Sequence, residues 1–262
     1  MVLHFHTLYV SIERGITVHN DTEGHGVGIY IPPVHLPQTI VFVRHPQCLH
    51  NTNFQKAIAQ GISHKESPLT KVGEQQRDIT ASFLEKKFRF DAVYCSEHLR
   101  TWTIPRAMFG VDFIPREYKE LNECNDGIWH TMVHREVRAL HPQEIPRYES
   151  ADPYGHKALH GESCKAVDDR LIRFLSLRNE HVQNKCVLIS GHGISGLCLR
   201  RLLLGKSVGE WNAWYKRGSR FKNASVTVFV REGVFYQYNL YNNYAPWEAK
   251  RYQLLSQGAN ES

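Results

Sequence analysis

The sequence predicts an α/β fold, a three-layer sandwich with a mostly parallel central sheet flanked by helices on both faces. Three observations predict it. Ile40–Val43, Ala92–Cys95 and Val187–Ser190 are short apolar runs with the length of buried strands. Segments with the apolar spacing of amphipathic helices separate them. Each run ends at polar or glycine-rich residues, and in open parallel sheets ligands bind at that carboxyl edge.

Taken in order, residues 1–37 differ from the rest. Their β-prone stretches around Leu8–Val10 and Val27–Ile31 are broken by Gly24, Gly26 and Gly28 and end in a proline-containing run to Pro37. This predicts a small β hairpin and linker. A second unit spans 38–262. After the Ile40–Val43 strand, Thr70 caps a helix to about Lys87 with Val72, Ile79 and Phe83 on one face. Ala92–Cys95 is the next strand. Ala166–Leu177 carries the stripe Val167, Leu171, Phe174 and Leu175. Val187–Ser190 leads through Gly191-His192-Gly193 into a helix running to Leu204 and ended by Gly205. Ser225–Arg231 and Gly233–Leu240 form a hairpin, and the tail frays after Gln257.

Composition narrows the function. The chain has 262 residues, of which 42% are hydrophobic and 22% charged, so a large core is available. No apolar run approaches the roughly 18 to 20 residues that span a bilayer. The N-terminus lacks a basic start, an apolar run and a cleavage site, so a cytoplasmic protein without a membrane partner is expected. Lys and Arg number 32 against 26 Asp and Glu, a net +6 that suits an anionic substrate. The basic residues are scattered, as at Lys86-Lys87 and Lys216-Arg217, which argues against nucleic acid. Six cysteines without a CxxC pair read as free thiols. Sixteen histidines show no metal-ligand spacing, so neither a metal nor another cofactor is expected.

The chemistry sits where the strands stop. The first runs into Arg44-His45, the second through Ser96 toward Arg100, the third into His192. Singly, each reads as a strand end or a surface residue. Together, two guanidinium forks and two imidazoles at one sheet edge describe a pocket for a phosphate dianion.

The order of motifs resembles branch 1 of the histidine phosphatase superfamily, which includes the cofactor-dependent phosphoglycerate mutases. Arg44-His45-Pro46-Gln47-Cys48-Leu49-His50-Asn51 is similar to the opening RHGxTxxN motif, and Pro68-Leu69-Thr70 with Gly73 and Gln76 to PLTxxGxxQ. Ser96 to Arg100 matches the second arginine motif, and Leu121-Asn122-Glu123 with Gly127 and Trp129 the LxExxxGxW loop. Gly161-Glu162-Ser163 and Ser190-Gly191-His192-Gly193 complete the series over roughly residues 40 to 230. The resemblance implies a metal-independent phosphatase that hydrolyses phosphate monoesters through a phosphohistidine on His45. Glu123 would be the general acid and His192, protonated, would stabilise the transferring phosphoryl group. Arg44, Asn51, Arg100 and Gly193 would bind substrate. A phosphoglycerate mutase-type phosphotransferase and a non-catalytic phosphate-recognising protein are the alternatives.

The chain departs from the pattern at Pro46, which stands where glycine is usual, and at His98 and Thr103. Between Glu123 and His192, Arg135, Arg138, Arg147 and Lys157 are expected to cap the pocket and set substrate choice. The expected partner is a phosphorylated small molecule, with a phosphopeptide as the alternative.

Overall fold

The computed structural model describes residues 16–18, 29–32, 36–150, 152–177, 182 and 185–249. Its strands are β1 (Ile16–Val18), β2 (Ile29–Ile31), β3 (Thr39–Arg44), β4 (Ala92–Cys95), β5 (Arg116–Glu117), β6 (Cys186–Gly191), β7 (Val226–Glu232) and β8 (Phe235–Tyr238). β3 to β8 form one sheet in the order β5-β4-β6-β3-β7-β8. The four strands from β5 to β3 are parallel, and β7 and β8 add an antiparallel edge.

Alternation along β3 separates the layers, because successive side chains leave opposite faces of a strand. Ile40 and Phe42 join Tyr94, Val187 and Ile189 against helices Cys164–Leu177 and Gly193–Leu203. Val41 and Val43 join Val93 and Leu188 against helices Lys71–Lys87 and Leu99–Phe109. The sheet is thus covered on both faces, as its continuous apolar strands require. The predicted stripe Val167, Leu171, Phe174 and Leu175 is fully buried.

The Lys71–Lys87 helix turns a different face inward from the one its apolar residues predict. Val72 is 49% exposed, while Gly73, Gln76, Thr80, Ala81 and Leu84 are buried. The reason is what lies beneath: Ala81 and Leu84 meet the apolar core, while the positions of Gln76 and Thr80 meet polar backbone. Thr80 Oγ1 donates to the Ala224 carbonyl at 3.0 Å, and Gln76 Oε1 accepts from the Gln47 N–H at 2.9 Å.

In the N-terminal segment β1 pairs antiparallel with β2, and Tyr30 is buried in the same core as Phe42. The predicted stretch Leu8–Val10 and the tail after Gln257 lie outside the described residues. No helix among the described residues is long and apolar enough to cross a membrane.

Candidate active site

Register brings the motifs together. In the parallel pairs Arg44 stands opposite Gly191, and both Val43 and Cys95 stand opposite Ser190. Residues immediately beyond, His45, Ser96 and His192, therefore emerge side by side at the carboxyl edge. The rings of His45 and His192 lie 5.2 Å apart, and both residues are buried.

His45 is oriented by the loop that follows it. Its Nδ1 lies 2.6 Å from the Pro46 carbonyl, its main-chain N–H donates to Gly191 O, and its own carbonyl accepts from Asn223 Nδ2. A proton on Nδ1 directed at a carbonyl leaves Nε2 with its lone pair. Pro46 thus supplies the acceptor that fixes the tautomer, a role that its missing N–H leaves untouched.

The loop is clamped by the second motif. Thr70 caps the Lys71–Lys87 helix through Gly73 N–H at 3.0 Å and donates to Gln47 Oε1 at 2.8 Å. A β-carbon at Gly73 would meet the Gln47 carbonyl oxygen at 1.9 Å, so glycine is what lets helix and loop touch.

Arg100 reaches the pocket from the first turn of helix Leu99–Phe109. Pro105 within that helix has no N–H to offer the Thr101 carbonyl four residues back. That carbonyl instead accepts from Ser190 Oγ at 2.6 Å, which ties the helix to the end of β6. Arg100 donates to the His64 carbonyl and, at 3.3 Å, to His192 Nδ1. Arg44 donates to the Phe221 carbonyl. Among the described residues neither arginine forms an ion pair, and the Nε of each is buried without a hydrogen-bond partner.

A guanidinium only donates, so His192 accepts on Nδ1 and carries its proton on Nε2. Nε2 sits 2.7 Å from Ser96 Oγ and 3.0 Å from His98 Nδ1. This pattern describes a neutral ring, where the resemblance implies a protonated one. Burial, followed by the Arg100 charge, holds both His192 and His45 well below the usual imidazole range. His98 is lowered to about 3 and His64 to about 2 by the same two causes. His98, at a position where the motif departs from the family pattern, contacts His192 edge-on, and His64 stacks on His130 at 4.3 Å. Apart from the number of histidines, no pattern along the chain signals this histidine layer.

Glu123 lies behind Gly193. Its carboxylate accepts the N–H groups of Gly193 (2.9 Å), Ile194 (3.1 Å) and Ser195 (2.9 Å), the open donors of the helix that starts there, and also that of Cys124. The Gly193 N–H is therefore engaged with Glu123. The Glu123 loop is held in turn by Arg170, which donates to the carbonyls of Glu120 and Glu123 and pairs with Glu162, the acid of the Gly161-Glu162-Ser163 motif. Asn51 is exposed, and its Oδ1 accepts from Cys48 N–H and Asn223 Nδ2 at the rim beside His45.

The basic residues expected to cap the pocket are not among those that line the cleft adjoining it. Arg135, Arg138 and Lys157 are exposed, and Arg147 pairs with Glu144. The walls of the adjoining cleft carry Trp129, Tyr148, His156 and Tyr215 instead.

Arg44 and Arg100, with no carboxylate in bonding contact, make the carboxyl edge of this α/β sheet a cationic pocket. The chain belongs to the histidine phosphatase superfamily, branch 1, whose profile matches residues 40–244. Among solved structures it is similar to the alpha-ribazole phosphatase of Shigella flexneri (20% identity over 79% of this chain and 97% of that one, TM-score 0.64). YhfR of Bacillus stearothermophilus follows (21% identity, 79% and 96% covered, TM-score 0.61). So does a mycobacterial glucosyl-3-phosphoglycerate phosphatase (20% identity, 78% and 98% covered, TM-score 0.61). At these identities the likeness speaks for the fold. No curated protein sequence matches the chain.

Proposed function

We propose that the protein is a phosphatase hydrolysing phosphate monoesters through a phosphohistidine on His45. One observation carries this reading: His45, with Nδ1 committed to the Pro46 carbonyl, stands beside His192 and within the field of buried Arg100 and part-buried Arg44, neither of which has a carboxylate in bonding contact. Desolvation and the arginine charges keep His45 neutral, the state a nucleophile requires.

In this mechanism Arg44 and Arg100 bind the nonbridging oxygens, and Nε2 of His45 attacks phosphorus in line as the bond to the leaving oxygen breaks. The dianion offsets the arginine charges, so His192 can then hold a second proton and bind a phosphoryl oxygen. Glu123 protonates the leaving oxygen, and afterwards takes a proton from the water that attacks the phosphohistidine. Its Oε2 accepts from Gly193, so carrying a proton there means giving up that bond. The metal-free character of the reaction rests on these cations serving as the charge that meets the phosphoryl group.

The decisive variant is His45→Ala, assayed on p-nitrophenyl phosphate with circular dichroism as the check on folding. Turnover should fall by about four orders of magnitude or more, as when the nucleophile of a covalent mechanism is removed, and the acid-labile phosphoryl label on the protein should vanish. Undiminished hydrolysis would remove His45 from the mechanism.

A further inference from the structure

A cavity of about 830 Å³ lies beside the phosphate site. Cys124 and Ile194 form its inner end, and their N–H groups are two of those bound to the Glu123 carboxylate. The cavity thus begins at the proposed acid, where the leaving group must stand. Drug-sized ligands occupy clefts of about 300–1,000 Å³, so a three-carbon alcohol would leave most of this space unfilled.

Its walls are aromatic. Trp129 and Tyr148 tilt toward each other with ring centres 5.1 Å apart, Tyr148 meets His156 edge-on at 5.7 Å, and Tyr215 closes the far side beneath Arg220. Polar side chains stand among them, for His134, Glu149 and Lys216 also line the cavity. Flat apolar faces suit a planar ring. The polar groups beside them suit a ring that carries heteroatoms, since a few such groups fix a ligand's orientation. Lys216 and Arg220 at the rim are balanced by Asp126 and Glu149, so the wall favours a ring over a second phosphate.

From this we infer that the cavity recognises a planar heteroaromatic ring carried on the leaving alcohol, a nucleoside-like group, in an ester whose phosphate enters the His45 pocket. The inference rests on the phosphatase reading for its chemistry, and on the cavity for its specificity.

Ribose 5-phosphate and the 5′-monophosphates of adenosine and uridine release the same kind of primary alkoxide, so the pairs differ only in the ring. The better nucleotide should exceed ribose 5-phosphate in kcat/KM by roughly tenfold to a hundredfold, the effect of one base stacked on aromatic side chains. Trp129→Leu, and the exposed-site variant Tyr148→Leu, should each move that ratio toward one. Calorimetry on His45→Ala, which holds ligand without turnover, should show the same preference in Kd. Equal kcat/KM for nucleotide and sugar phosphate, equal affinity, binding of neither, or variants that keep the full ratio would overturn the inference. Ring-dependent binding with no phosphate released by the wild type would instead sink the phosphatase reading and leave the ring site standing.

Discussion

Two arginine sites in this molecule face the same problem and solve it differently. Arg201, on the Gly193–Leu203 helix, is buried, and its guanidinium grips Asp168 through Nε at 2.9 Å and through Nη2, while Nη1 donates to the Lys206 carbonyl. Tyr154 adds a hydroxyl donor to the same carboxylate. Arg44 and Arg100 are given carbonyls and a histidine but no carboxylate in bonding contact. Burial holds both below the usual guanidinium range, a mark of charge kept in place without full compensation. The first site finds its counter-charge within the chain. On the proposed reading the second is completed by the substrate's phosphate, and the fold carries its cost until that anion arrives.

The comparison is tested most strongly by pH. His45 and His192 are neutral in the folded chain but titrate near 6.5 when unfolded. Below that pH the unfolded state binds more protons, so stability present above it is lost as pH falls. Each histidine kept neutral contributes about 1.4 kcal/mol per pH unit, so these two together with His64 and His98, lowered by the same causes, set a slope of roughly 5–6 kcal/mol per unit below pH 6. Urea denaturation between pH 8 and 5 reads this slope, and inorganic phosphate should flatten it by lending the imidazoles a counter-charge. A flat profile without phosphate would mean that the rings are protonated in the folded protein.

Asp168→Ala strands Arg201 and should destabilise the fold by about 3–5 kcal/mol, measured by the same denaturation. Arg100→Met should do the opposite to stability, leaving the midpoint unchanged or raised, while kcat/KM on p-nitrophenyl phosphate falls by about 10²–10³. If both substitutions destabilised equally, the distinction between the two sites would fail. The smallest effect belongs to Thr70→Ala, which removes a helix cap worth about 1 kcal/mol. Because Thr70 also holds Gln47, activity should fall beyond what the loss of folded protein explains.

The three central strands were legible because they are apolar and stop abruptly at charged or glycine residues, and the Cys164–Leu177 helix because its stripe packs on that sheet. Exposed β5, Arg116–Glu117, carried no such signal. The buried face of Lys71–Lys87 was not legible, since hydrophobic periodicity is blind to a helix that packs in part on backbone polar groups. Short helices at Leu49–Thr52, Phe54–Ala59 and Leu99–Phe109 also escaped, the last because Pro105 reads as a break until its partner Ser190 is seen. Order along the chain was enough to convene His45, Arg44, Arg100 and His192 at one edge. It said nothing of which nitrogen carries the proton, of Glu123 seated on three amides, or of the aromatic walls between Trp129 and Tyr215. Those depend on contacts between segments that no local pattern encodes.

The abutment of Gly73 on the Gln47 carbonyl makes the nucleophile a tenant of a distant helix. Any side chain at position 73 would displace the loop that carries the Pro46 acceptor and turn the imidazole away from its target. A residue that meets neither substrate nor proton thereby governs the angle of attack, and the molecule's tolerance for change narrows at a place where chemistry alone would never look.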